Sequence, residues 1–282
     1  MNLQLIWFIG HCFTLIGTIF FVLSGFSSNS SYTFLYTGVI LSFGIQLYQQ
    51  YFKQLIKPTQ EKPTNTNNTN TTRLNKARVV IRDVNFPYFT MALIWLITPL
   101  TTLSVFPYAI FSMFHALTYT KNVLIPQYFP NLNKFTPYIN VFLQKYQDLS
   151  MSMSANFEVY CLLLLILKNL MFWKWTLMKL VQFAGYTLFI KLRLESSKIL
   201  SNAFAHLSFQ FENLLARVQH NNPGNTMVYQ VKNYYIAVKM QCKRLNSVNL
   251  TNYLAGPPPQ ASSASSSSAS GSSRPSNERK QR

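Results

Sequence analysis

The sequence predicts an all-α membrane protein: about four transmembrane or hairpin helices, then a basic amphipathic helical region and a disordered tail. Three observations predict it. The first 52 of the 282 residues contain no Lys, Arg, Asp or Glu, whereas the remaining 230 carry all 32 charged residues, 25 of them basic. Apolar, aromatic-rich runs recur at close to the ~20 residues needed to cross ~30 Å of hydrocarbon. The basic residues gather between and after those runs and leave a net charge of +18, which suits polypeptide held on the cytosolic side of a bilayer and drawn to anionic partners.

Residues 1–52 read as an N-terminal transmembrane hairpin. One segment runs from Leu3 to Leu23, a polar turn spans Phe26 to Ser31, and a second segment runs from Tyr32 to Tyr51. The start lacks a basic n-region, and its apolar run from Leu5 is longer than an ordinary signal-peptide core, so a retained span is expected. Gly10, Gly17, Gly38 and Gly44 interrupt the two segments. They permit either close helix approach in lipid or no more than tolerated glycine. Residues 53–86 read as a basic cytosolic loop, seven basic against two acidic, with a Thr/Asn-rich tract from Pro63 to Thr72 that cannot form a core. The Asn-x-Ser/Thr patterns at Asn29, Asn67 and Asn70 read as coincidences of composition.

Residues 87–175 read as a second membrane region. No charge occurs from Val84 through Thr120, and Pro99 and Pro107 break the stretch. One kinked span from Phe89 to Phe111 fits its length better than two short spans or a re-entrant hairpin. Residues 121–153, with Lys121, Lys134, Lys145 and Asp148, then form an aromatic lumenal loop, because +2 is the weaker charge beside the +5 of 53–86. The last span runs from Ala155 to Trp173, with Glu158 near one end and Lys168 able to snorkel at the other. Trp173 and Trp175 are the expected interfacial anchors.

Residues 176–250 read as a cytosolic amphipathic helical region. Its uncharged run from Leu180 to Ile190 is eleven residues, too few to cross, so an interfacial or bundle-packed helix is expected there. A cleaner helix follows the Pro223-Gly224 break. Val228, Val231, Tyr235, Val238, Cys242 and Leu245 recur at spacings of 3, 4, 3, 4 and 3. Lys232, Lys239 and Lys243 fall on the other side, with Arg244 at its edge. Such a helix lies flat on a bilayer with anionic head groups, or packs its apolar side on protein. Residues 251–282 are a Pro/Ser-rich tail that reads as disordered.

Chemistry is scarce. Seven acidic residues are spread along the chain, and His11, His115, His206 and His220 form no HExxH or HxxxH pattern. Cys12, Cys161 and Cys242 lie in separate segments. No nucleotide-binding or nucleophile-elbow motif occurs. No catalytic, cofactor-binding or metal residue is therefore expected, and no nucleic-acid partner. An ER transporter or channel subunit is the alternative, weakened by the few polar residues along the spans.

Two strings carry a resemblance: Trp7-Phe-Ile-Gly-His11 and, more specifically, the stretch from Phe106-Pro-Tyr-Ala-Ile-Phe to Asn122-Val-Leu-Ile-Pro126. Over roughly residues 5–250 the chain resembles the fungal Pom/Per/Tts family of pore-membrane and endoplasmic-reticulum proteins, whose animal relatives associate with reticulons. The resemblance implies a non-enzymatic protein of the ER and nuclear envelope. It implies a role in membrane shape and in assembling or distributing nuclear pores, with reticulon-like proteins, nucleoporins or an import receptor as partners. A reticulon-binding adaptor without a pore role is the variant reading. The stretch that matches the family's basic C-terminal region is Val228 to Leu245.

Overall fold

The computed structural model describes residues 3–52, 79–81, 83–171, 176–221, 224, 226–248 and 250, and these are all-helical. Helix α1 spans Leu3–Leu23 and α2 Asn29–Leu47, the latter extended by a π turn, Tyr48–Phe52. Helices α3 (Asn85–Ile97) and α4 (Val105–Tyr119) follow, then the short α5 (Ile125–Tyr128). The remainder are α6 (Thr136–Met171), α7 (Leu177–Ser196), α8 (Lys198–Asn221) and α9 (Thr226–Ser247). Among the described residues two stretches are long and apolar enough to cross a membrane, Leu3–Leu23 and Pro130–Asn169, the second of which takes in most of α6.

The α1–α2 hairpin is built on small residues. Ser28 caps α2, its hydroxyl accepting from the Ser31 N–H at 3.2 Å. A Cβ on Gly17 would sit 2.8 Å from the Leu35 backbone, and one on Gly38 2.7 Å from the Gly10 carbonyl. The glycines are therefore contact surface: with no side chain between them, the two backbones meet along most of their length. Thr14 and Thr18 stay compatible with this by donating back to the carbonyls four residues earlier.

The uncharged stretch after Val84 differs from the expected kinked span. It breaks at Thr98–Thr101, and α3 and α4 double back as a hairpin. The break is held by side chains. Gln182 of α7 donates to the Pro99 carbonyl at 2.6 Å and reaches the Thr98 and Thr101 hydroxyls at 3.2 Å each. Ser104 donates to the Thr101 carbonyl at 2.6 Å and lies 2.7 Å from the Tyr36 hydroxyl. These contacts replace the helical hydrogen bonds lost at Pro99, which a single continuous span would have left open. Helix α7 is likewise part of the bundle: Gln182, Tyr186, Phe189 and Ile190 are buried. The core lies where α2, α3, α4, α6 and α7 converge on Tyr36, Tyr88, Trp95, Tyr108 and Tyr186.

The bundle has two recognisable ends. The α1–α2 turn and the Thr98–Thr101 break share one, through Tyr32, Tyr36 and Ser104 and through Phe26 against Phe106. At the other, Tyr51 donates to Asp83 at 2.5 Å, and Tyr119 stacks on Phe8 with ring centroids 4.8 Å apart. Gln4, Gln46, Gln49 and Asn122 line one crevice there. The start of the expected lumenal loop, Lys121 onward, thus sits at the same end as Asp83 and Tyr51. The reason is the extra reversal at Thr98–Thr101, which returns the chain to where it began. The Thr/Asn tract, Trp173, Trp175 and the Ser-rich tail lie outside the described residues.

Candidate functional site

Helices α8 and α9 form an antiparallel pair beside the bundle. Helix α8 begins one residue after α7 ends, where Ser197 donates its N–H to the Arg193 carbonyl at 2.8 Å. The Gly224 turn region then reverses the chain. Tyr235 is the main tie between the pair: its ring centroid lies 4.8 Å from that of Phe211, and its hydroxyl is 2.7 Å from Ser208 Oγ and donates to Glu212 Oε1 at 3.2 Å. Lys239 pairs with the same Glu212 oxygen, and Lys232 donates to Gln219 Oε1 at 3.0 Å. The hydrogen bond from Lys239 holds the Glu212 carboxyl below its ordinary range, and Glu212 in turn raises the Lys239 ammonium.

These contacts divide the residues that the spacing grouped. Val228 and Tyr235 are half-buried, and Tyr235 faces α8. Lys232 and Lys239 turn to α8 as well, because Gln219 and Glu212 offer them acceptors. Val231, Val238, Cys242, Lys243 and Arg244 are exposed. Leu245 lies in α9, but its side chain is outside the described set. The outward apolar stripe is Met227, Val231, Tyr234 and Val238, at spacings of 4, 3 and 4, with Met227 70 % and Tyr234 75 % exposed. Sequence reasoning missed Met227 and Tyr234 because two overlapping 3–4 patterns run through this helix. Only the position of Glu212 on α8 decides which pattern turns outward.

Inside the bundle, polar side chains are arranged for packing. His11 Nδ1 is 3.0 Å from Ser112 Oγ, its ring stacks on His115 at 5.0 Å, and Trp7 lies edge-on to both. Among the described residues no group of three or more His, Cys, Asp or Glu could hold a metal ion.

Comparison with known proteins places the chain in a family. The family model described as transmembrane protein 33/nucleoporin POM33 matches residues 68–239. A Saccharomyces cerevisiae protein named pore membrane protein of 33 kDa is 31% identical over 257 residues, covering 89% of this chain and 86% of its own. The nucleoporin POM33 of Chaetomium thermophilum is 30% identical over 241 residues, 76% of this chain and 78% of its own. Tetra-spanning protein 1 of Schizosaccharomyces pombe is 26% identical over 228 residues, 76% of each chain. No solved structure matches. With the family model covering more than half of the residues and two relatives at 30% identity or above, the chain belongs to the transmembrane protein 33/nucleoporin POM33 family.

Proposed function

We propose that this protein is a non-enzymatic membrane protein of the endoplasmic reticulum and nuclear envelope, including the pore membrane, where it stabilises curved bilayer and supports nuclear pore assembly or distribution. The names of its fungal relatives support the location. The single observation behind the mechanism is the one-sidedness of the molecule. Three hairpins, α1–α2, α3–α4 and α6–α7, return the chain repeatedly to the end that carries Tyr51 and Asp83. That end also carries α5, the start of α6, and the α8–α9 pair. At the opposite end the turns at 24–28 and 98–104 are short and uncharged.

Tyr51 and Asp83, which flank the basic stretch of the sequence, and the basic helices α8 and α9 share the crowded end, so in this reading that end faces the cytosol. In this reading all six bundle helices lie in lipid, and 121–135 is cytosolic together with 53–86. Helices α3 and α4, of 13 and 15 residues, reach only about 20 Å each and leave the hairpin between them shallow. Protein mass then occupies more of the cytosolic leaflet than of the lumenal one, which favours curvature toward the cytosol. The outward stripe of α9, with Lys243 and Arg244 near its end, adds area to the same leaflet. Nucleoporins are the partners this location supplies. An import receptor or reticulon-like proteins are further candidates for the α8–α9 surface.

The test is reagent protection in sealed microsomes. Tags after Thr66 and after Asn131 are both expected to be modified from outside, whereas one after Ser27 is shielded. A shielded Asn131 tag beside an exposed Thr66 tag defeats the three-hairpin arrangement.

A further inference from the structure

We infer that the strip from Phe129 to Tyr138 lies flat in the phospholipid head-group layer, with one apolar edge turned into the bilayer. The inference rests on the membrane reading above and adds the partner and the depth of this segment.

Between α5 and α6 the chain runs as a 3-10 helix, Pro130–Phe135, and passes into α6 through Thr136, which keeps helical dihedral angles. With three residues per turn, side chains three apart eclipse one another. Leu132 and Phe135 therefore share one edge, and Phe129 and Tyr138 extend it at the same interval on either side. All four are exposed, Tyr138 by 74 % and Phe129 by 54 %. The row is about 18 Å long. On an α-helix the same four positions would spread over about half the circumference, so only the 3-10 winding gathers them. The other two edges carry Asn131, Asn133 and Lys134, which are exposed as well.

The strip is fixed to the end of the bundle. Lys121 at the end of α4 donates to Asn140 Oδ1 at 2.6 Å, and Phe142 stacks on Phe114 with ring centroids 6.3 Å apart.

Two constraints set its depth. A continuous exposed apolar row is unfavourable in water. Hydrocarbon is closed to the strip, because the break from α5 at Phe129 and the prolines at 130 and 137 interrupt the backbone hydrogen bonding, and the asparagines add side-chain amides. The head-group layer meets both requirements, and tyrosine is favoured there.

Charge selects lipid over a second copy of the chain. From Lys121 through Gln147 there is no acidic residue, and Asp148 is the first carboxylate after them. Lys134 lies 5.4 Å above the Phe135 ring, beside the apolar edge. Two such strips face to face would bring like charges together, whereas lipid phosphates oppose them.

The experiment reconstitutes the full chain in vesicles of phosphatidylcholine with a minor fraction of phosphatidylserine. Benzoylphenylalanine, a photoreactive aromatic residue, is placed in separate samples at Phe135, at Asn133 and at Leu163, which is exposed further along α6. Mass spectrometry of the irradiated chain reads the adducts. Phospholipid adducts are expected at Phe135, several-fold above those at Asn133. Equal yields at the two positions overturn the flat orientation. An adduct at Phe135 to another copy of the chain, in place of lipid, overturns the choice of partner. The Leu163 position separates this inference from the reading beneath it. Lipid adducts at Leu163 without any at Phe135 defeat the strip alone, and no lipid adduct at either defeats the membrane reading together with it.

Discussion

Tyr88 donates its hydroxyl to Glu158 Oε1 across 2.6 Å and thereby ties α3 to α6 in the centre of the bundle. Arg193 of α7 completes the arrangement, its guanidinium 4.9 Å above the Tyr88 ring and its Nε 3.6 Å from Glu158 Oε2. Tyr186 donates to the Glu158 backbone carbonyl at 2.8 Å, and Tyr108 to that of Tyr88 at 2.9 Å. Three helices, α3, α6 and α7, are thus joined through one carboxylate that is 1 % exposed, and α4 is tied in through the Tyr88 backbone.

Removing one partner of this pair leaves the other charge buried. Glu158→Gln keeps an acceptor for Tyr88 but strands Arg193, and a loss of roughly 3–5 kcal/mol is expected. Replacing both, Glu158→Gln with Arg193→Met, should recover most of it, since the uncompensated charge is then gone. Denaturant titration of the purified chain in micelles, followed by tryptophan fluorescence, reads the difference. A single variant as stable as the parent would show that the pair is not held as described.

The α1–α2 contact makes a second expectation sharp. Gly17→Val places carbon atoms within the 2.8 Å separation from Leu35, and Gly38→Val does the same against Gly10 and Thr14. Each should cost about 1–3 kcal/mol by forcing the helices apart. Gly25→Ala is the control for steric space, because a Cβ there meets nothing within 4 Å, although its φ of +64° adds its own smaller strain. The same titration, together with protease susceptibility of the 24–28 turn, separates the two causes.

Much of this bundle was legible in the residues. An uncharged start with a Ser-rich turn leaves a hairpin as the natural solution, and α1 and α2 follow the expected segments to within a few residues. The break at Thr98 was not legible, because what stabilises it is Gln182, more than eighty residues away. A hydropathy window sees Pro99 and Pro107 as kinks of equal standing, although Pro107 lies in the first turn of α4, where its missing N–H costs nothing. Helix α7, with an uncharged core of eleven residues, was expected to be interfacial or packed on the bundle, and it packs on the bundle through Gln182, Tyr186, Phe189 and Ile190. What the spacing did not show is that the charges after Ile190 are paired there, Lys191 with Glu195 and Arg193 with Glu158. The predicted face on α9 was a periodicity argument, and periodicity does not distinguish an outward stripe from one turned to Glu212.

The α8–α9 contact should respond to pH in a definite direction. Lys239 depresses the Glu212 carboxyl, so its contribution is present above the unfolded value and is lost as pH falls through the lowered folded value, below the ordinary 4.5. Lys239 is raised, so its share persists to alkaline pH and is lost only above its ordinary 10.5. The pair is therefore constant near neutrality and loosens in acid. Both groups are exposed, so added salt should weaken the contact as well. Hydrogen exchange of α9 amides across pH, corrected for the intrinsic rate, reads this. Glu212→Gln should flatten the acid response, and an unaltered response in that variant points to another titrating group.

The orientation of α9 separates two substitutions that the spacing alone treats as equal. Val231 and Tyr234 face outward, whereas Tyr235 is engaged with Ser208, Phe211 and Glu212. In the proposed reading, Val231→Asp with Tyr234→Asp removes apolar area from the membrane-facing stripe and places negative charge against an anionic leaflet, while α8 and α9 stay paired. Tyr235→Phe loses the hydroxyl contacts and leaves the stripe intact. Flotation of the full chain does not discriminate, because the bundle alone holds it in lipid. The readout is depth-sensitive quenching of a fluorophore placed at Cys242, which is exposed at the end of α9, in vesicles of defined charge and size. The double Asp variant should lose most of the quenching by lipid-borne quenchers, and Tyr235→Phe should lose little. Equal quenching in both variants would mean that the outward stripe of α9 does not lie on the bilayer. The pair would then present that stripe to a protein, and the curvature argument would rest on the three hairpins alone.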